Sequence, residues 1–236
     1  MPVFSSSQQN AIEALARDLD EVFGTRLQAL VAYGGSHGDG SVHSCAIVDT
    51  LKFQDLVKCL PFTGRWHQRR IAVPLMLEAT ELERTLDIFP LEYAAIIADH
   101  VVVRGADPFA GVVIPMEDVR RATEAQAKSH LIHLREAYLE THGEATRIAQ
   151  LVSASAGPFR ALLTNIGRLL GLQVTDDEAL AKMAETELKL PRGVVRDVLA
   201  SSAAGASTIT DPGHLFGQYV EAAGDVWTFV DGWTSK

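Results

Sequence analysis

Apolar residues recur at helical spacing over residues 6–23, where Ile12, Leu15, Ala16, Leu19, Val22 and Phe23 share one face. The serines at 5–7 can supply an N-cap, and Gly24 closes the helix. Two short apolar runs follow, LQALVAY (27–33) and CAIVD (45–49), and both read as strands. LKFQDLVKCL (51–60) returns to helical spacing and is expected to stop at Pro61, since an internal proline loses a helix hydrogen bond. RIAVPLMLEA (70–79) is a third strand candidate, with Pro74 pointing to a sheet edge or a bulge. LDIFPLEY (86–93) is expected to be a fourth strand, and ADHVVVRG (98–105) a fifth strand or a helix end. Strands mixed with helices predict an α/β or α+β domain over about 1–113.

From Met116 onward the pattern changes to helix throughout. One long helical segment runs from Met116 to a stop at Gly143, and further segments lie near 144–154, 158–170, 176–188, 192–203 and 213–231. Breakers separate them: Gly157-Pro158, Gly171, Pro191, the stretch AAGAS (203–207) and Asp211-Pro212-Gly213. The run TDDE at 175–178 reads as a cap followed by acidic residues in a first helical turn. Residues 114–236 are therefore predicted to be an all-α bundle of five or six helices. The boundary falls near Val113–Pro115, giving domains of 1–113 and 114–236.

Composition narrows the functional classes. With 47% hydrophobic and 22% charged residues and a mean hydropathy of +0.08, the 236-residue chain is an ordinary globular one. A net charge of -9 and a pI near 5.3 argue against a surface for extended nucleic acid, which needs concentrated positive charge. The one short basic cluster, RWHQRR (65–70), is expected to be a solvated loop or strand entry. Cys45 and Cys59 lie in apolar surroundings without metal-ligand spacing, and predict buried reduced thiols. Neither a signal peptide nor a membrane-length apolar run is found, so a cytoplasmic protein is expected.

The chemistry concentrates in YGGSHGDGSVHSCAIV (33–48), a strand, a glycine-rich turn and a second strand. Glycines let a backbone approach a phosphate closely, successive N–H groups can form an anion-binding concavity, and Ser36 adds a hydroxyl. Gly34, Gly35, Ser36 and Gly38 are the candidate nucleotide-binding residues. The stretch has no GK[ST] and no GxGxxG opening a helix, and a solvent-exposed hairpin loop has the same composition.

The order helix, strand, Gly-Ser turn, strand and helical bundle resembles the nucleotidyltransferase superfamily of the DNA polymerase β type. It is similar in particular to bacterial nucleotidyltransferase-like proteins with a helical C-terminal domain. LDIFPLEYAAIIADHVVVRGADPFAGVVI (86–114) and HLREAYLE (133–140) carry that second likeness, which spans roughly 25–142. The resemblance implies an α+β fold: a nucleotidyltransferase-like mixed sheet with flanking helices, followed by the helical bundle. It implies that Gly35 and Ser36 match the family's Gly-Ser pair and that Asp87 matches a third catalytic acid on a later strand. The family also carries two acidic residues, one apart, on the strand after the turn. Here His43, Ser44, Cys45 and Ala46 stand in that place, and none is a carboxylate.

Nucleotidyl transfer uses divalent ions clamped by shared carboxylates, and Mg²⁺ requires oxygen ligands. Asp87 alone could hardly hold two ions. Asp39 in the turn is one substitute, and Asp49 a geometrically poor one at the strand's end. The favoured expectation is a degenerate metal site in a non-catalytic module that binds a nucleotide or small phosphate. The alternatives are an active enzyme using Mg²⁺ and a nucleoside triphosphate on a small acceptor, and a structural protein whose bundle forms a homodimer.

Other clusters have plain readings. His37, Asp39 and His43 could ligate Zn²⁺ or Mn²⁺ but are more simply solvated. His130, His133 and Glu136 lie on one helix side without the HExxH pattern. Glu92 is expected to cap or anchor a helix over 92–99, its pKa raised if buried. Ser153 and Ser155 lack a GxSxG setting. Trp227, Phe229 and Trp233 are expected to form one apolar packing face.

Overall fold

The computed structural model describes residues 4–34, 41–172, 174 and 176–234. The chain divides into two compact units, Met1–Ile114 and Pro115–Lys236.

In the first unit, helix α1 (Ser6–Phe23) opens on a capping box: the Ser5 hydroxyl accepts from the Gln8 N–H and the Gln8 side chain accepts from the Ser5 N–H. Gly24 ends it at φ 53, a conformation that costs glycine nothing. Strand β1 (Leu27–Tyr33) pairs antiparallel with β2 (His43–Val48), placing Tyr33 opposite His43, Val31 opposite Cys45 and Ala29 opposite Ile47. Helix α2 (Phe53–Gln68) leads to the short strand β3 (Leu75–Glu78), which lies parallel to β2. Helices α3 (Ala79–Thr85) and α4 (Pro90–Ala98) precede β4 (His100–Gly105), antiparallel to β1. The sheet order is β3-β2-β1-β4.

Helices cover both faces of the central pair. Leu30, Ala46 and Val48 pack against α1 and α2 through Leu15, Leu19, Cys59 and Trp66. Ala29, Val31, Cys45 and Ile47 point the other way, against Leu82, Tyr93, Ile96 and Phe109. A strand covered on both faces needs apolar residues at consecutive positions, and this is why LVA and CAIV read as continuous runs.

Three expectations need correction. Helix α2 continues through Pro61 to Gln68, so RWHQ forms its last turn and Trp66 is buried. Likewise the helix over Ala145–Leu169 runs unbroken through Gly157-Pro158. Both prolines are exposed, so the carbonyls they leave unpaired can be hydrated while the opposite helix face stays packed. Residues 86–93 form no strand: Leu86–Phe89 make a turn and Pro90 starts α4, at the first position where a missing N–H is harmless. Pro74 does mark an edge. It falls between the isolated Val42–Ile71 bridge and β3, the last strand of the sheet on that side.

The second unit comprises α5 (Met116–Glu140), α6 (Ala145–Leu169), α7 (Asp177–Thr186), α8 (Val194–Ala204) and α9 (Pro212–Asp231). Helix α6 is central, burying Val152, Phe159, Leu162, Leu163 and Ile166 against α5, α8 and α9. Two arginine forks tie α7 in place, Arg160 to Asp177 at 2.6 and 2.7 Å and Arg196 to Glu178 at 2.9 and 2.7 Å. The buried face of α9 is Phe216, Tyr219, Ala222, Ala223, Val226 and Val230. Trp227 and Phe229 flank that face half-buried, with the Lys128 ammonium 3.4 Å from the Trp227 ring centroid. Among the described residues, no helix is long and apolar enough to cross a membrane.

The α1–α2 contact turns on Asp18, which accepts from the buried Trp66 indole N–H at 2.9 Å and from Arg65 at 2.9 Å. Asp18→Ala leaves the indole N–H without a partner and is expected to cost roughly 1–3 kcal/mol in urea unfolding. Arg65→Ala removes only the half-exposed partner and is expected to cost less than about 1 kcal/mol.

Candidate functional site

Gly34 begins the turn after β1 with φ 75. Gly35, Ser36, His37, Gly38, Asp39 and Gly40, which hold most of the phosphate and metal readings, lie outside the described residues. The strand ends flanking the turn are well defined. Val42 accepts from the Ala72 N–H and donates to the Arg70 carbonyl, both at 2.9 Å, which fixes the start of β2.

Register then assembles a row of polar rings. Tyr33 pairs with His43 on one side and with His100 on the other, so three neighbouring strands each contribute one ring-bearing residue at the turn end of the sheet. The Tyr33 and His43 rings lie 5.7 Å apart. His100 donates from Nδ1 to the Ile96 carbonyl at 2.9 Å, and its Nε2 lies 3.1 Å from Asp107 Oδ1. Asp107 Oδ1 also accepts the Phe109 N–H at 2.9 Å, so the ring is held from both sides. Burial pushes the Tyr33 hydroxyl up to about 12, with Cys45 and Glu92 adding to it. It therefore stays a neutral phenol across the physiological range. Of this row the Tyr33 phenol and the His43 imidazole can donate to an anion, while both His100 ring nitrogens are already engaged.

Among the described residues, no site for a hard cation is built beside it. Among β1–β4 the only carboxylate is Glu78, at the far end of β3, where it accepts the Leu51 N–H at 2.7 Å. Cys45 and Ile47 share the Tyr33 face of the sheet but are buried in the apolar cluster, and burial pushes the Cys45 thiol up to about 12. Asp49 follows the opposite end of β2, about 20 Å from His43 at the rise of an extended strand. Asp87 is exposed in the turn between α3 and α4, away from any strand. Glu92 is exposed in the first turn of α4 and caps nothing through its side chain. Among the described residues, no group of three or more His, Cys, Asp or Glu could hold a metal ion. The described residues alone do not supply the oxygen ligands for the paired Mg²⁺ ions of nucleotidyl transfer.

Tyr33 and His43 could have been found by counting outward from the glycine turn. His100 could not, because its place beside Tyr33 comes from a strand pairing some seventy residues distant in the chain.

The bundle histidines do not converge as ligands either. His133 turns Nδ1 back to the Ser129 carbonyl at 2.8 Å. His130 stacks on Phe159 with ring centroids 5.5 Å apart, and its Nε2 lies 2.7 Å from the Tyr219 hydroxyl. Ser153 and Ser155 spend their hydroxyls on the carbonyls of Ser201 and Val152.

Burial, with a smaller contribution from His133, lowers the His130 pKa to about 4. The unfolded chain takes up this proton near the ordinary value of about 6.5, so acidification favours unfolding before the native site can titrate. Urea midpoints are expected to fall between about pH 6.5 and 4, by the equivalent of roughly 2–3 kcal/mol, with no further loss from this group below that window. His130→Gln is expected to flatten that part of the profile.

No protein-family model matches the chain, and no curated protein does. Among solved structures the fold is similar to that of the spectinomycin adenyltransferase AAD(9) from Enterococcus faecialis, determined with ATP and spectinomycin. The TM-score is 0.54 at 11% identity, over 92% of this chain and 98% of that one. A likeness at that identity is one of fold: a nucleotidyltransferase-like mixed sheet with flanking helices and a helical C-terminal region.

Proposed function

We propose that this protein is a nucleotide- or phosphate-binding module on a nucleotidyltransferase-like fold, acting by binding or regulation rather than by metal-dependent transfer. The observation that carries this reading is the character of β2. The strand after the glycine turn bears no carboxylate, and within His43–Ala46, where the acidic pair is expected, Ser44, Cys45 and Ala46 are buried, Cys45 beneath Leu82, Tyr93, Ile96 and Phe109. A carboxylate there would enter an apolar core without a partner, at a cost that opposes folding. The metal site is thus more than one substitution away, since regaining it requires lifting α3 and α4 from the sheet. Anion recognition needs none of those carboxylates. The turn's N–H groups, the Ser36 hydroxyl, the Tyr33 phenol and the His43 imidazole form a donor set for phosphate oxygens. The adenyltransferase of similar fold was solved with ATP, which makes a nucleoside triphosphate the first ligand to try.

Thermal-shift titration with ATP, GTP, CTP and UTP, each with and without Mg²⁺ or Mn²⁺, tests this. Metal-independent stabilisation is expected for at least one nucleotide, about 2.7 kcal/mol at 100 times its Kd, and is expected to vanish in Ser36→Trp. A shift that requires the metal, accompanied by pyrophosphate release, would establish a working transferase instead. Silence with all four nucleotides would end the binding reading. The sealed face has its own check: Cys45→Asp is expected to lower stability by more than about 2 kcal/mol and to confer no metal-dependent shift.

A further inference from the structure

Between α5 and α6, within the second unit, lies a cleft of about 440 Å³ lined by Gln126, Ser129, His130, His133, Ala154 and Ser155 among others. Its volume is in the range of small-molecule sites. No Asp, Glu, Lys or Arg lines it, and Leu134, Ala137, Leu151, Ala154 and Pro158 make most of its wall apolar.

Its polar groups are oriented by partners behind them. Arg168 has only donors, and its Nη1 lies 2.6 Å from Asn165 Oδ1, so Asn165 Nδ2 is the amide end that faces Gln126. Asn165 Nδ2 donates to Gln126 Oε1 at 2.9 Å. The chain Arg168–Asn165–Gln126 thereby fixes which end of the Gln126 amide is taken, and leaves its Nε2 donor for the cleft. One helical turn on, His130 is held by Tyr219 through Nε2 and by stacking on Phe159, and no described group bonds its Nδ1. Gln126 and His130 are four residues apart on one helix face, so their side chains address the cleft together. Two pre-oriented polar groups in a mostly apolar cleft without Asp, Glu, Lys or Arg are the usual means by which a small-molecule site sets orientation. Holding them in place beforehand lowers the ordering cost of binding.

We propose that this cleft binds an uncharged, mostly apolar small molecule that presents a hydrogen-bond acceptor to Gln126 Nε2 and a second polar atom to His130 Nδ1. An ionic ligand finds no Asp, Glu, Lys or Arg counter-charge among the lining residues. The site lies wholly in the helical unit and does not depend on nucleotide binding at the glycine turn.

The probe is isoquinolinone, a neutral lactam with adjacent carbonyl and N–H, compared with N-methylisoquinolinium as a cation and naphthoate as an anion of similar size. Long-range ¹H–¹⁵N correlation spectra of the histidine rings in the full chain report the site directly. The lactam is expected to shift the His130 ring-nitrogen signals saturably and to bind at least about tenfold more tightly than either ion, a difference of about 1.4 kcal/mol. Ala154→Trp from α6 and Ala137→Trp from α5 each fill the cleft from a different wall. Whichever of them keeps the wild-type circular dichroism is expected to abolish the shift. No saturable shift, equal binding of the charged analogues, or binding undiminished in a folded tryptophan variant overturns the proposal.

Discussion

The first unit depends on one constraint: both faces of the β1–β2 pair are covered by helices. Leu30, Ala46 and Val48 meet α1 and α2, while Val31, Cys45 and Ile47 meet α3, α4 and Phe109. Charged side chains are thereby kept out of the middle of β1 and β2, where an unpartnered group would be costly, and the small Ser44 hydroxyl is the one buried polar group tolerated there. The larger polar side chains are left at the ends of the sheet. At one end Arg26 makes a fork to the buried Asp55 at 2.8 and 2.7 Å, and this partner holds the Asp55 carboxyl well below the usual range. At the other end stand Tyr33, His43 and His100, next to the glycine turn. The same covering that stabilises the sheet decides where chemistry can occur on it.

That placement bears on the proposed reading of this nucleotidyltransferase-like fold as a binding module. Catalysis of nucleotidyl transfer needs an open sheet face on which carboxylates from neighbouring strands meet. Here α3 and α4 occupy the face with leucine, tyrosine and isoleucine. At the turn end of that face stand the Tyr33, His43 and His100 rings, with Tyr33 kept protonated by the desolvation that makes the core favourable. Of these, the Tyr33 phenol and the His43 imidazole can hold an anion, but they do not neutralise charge developing between two phosphate oxygens as a metal pair does.

In the bundle a different balance holds. Polar groups enter the interior, but in chains that satisfy one another: Tyr219 bridges His130 and the Ser155 carbonyl, and Asn165 bridges Arg168 and Gln126. Each chain ends at a residue lining the α5–α6 cleft, so packing order is passed to the cleft wall. Small residues on the facing helices, Ala137 and Ala154 among them, keep that space open.

Much of this organisation was legible along the chain. The 18-residue amphipathic α1 with its serine cap, the doubly apolar β1 and β2 and the helical C-terminal half follow from local composition and period. These are properties a segment carries wherever it is placed. Two of the misreadings share one cause: Pro61 and Pro158 are local helix breakers, but packing of the opposite helix face outweighs the one lost hydrogen bond. Residues 86–93 look strand-like because they are apolar, but Pro90 nucleates a helix whose Tyr93 and Ile96 are needed to close the sheet. Only the tertiary structure decided that Cys45 and Ile47 are sealed, that Asp87 lies off the sheet, and that His100 stands beside Tyr33. Each of those depends on which distant segments meet, and a period read along the chain holds no information about a partner far away in it.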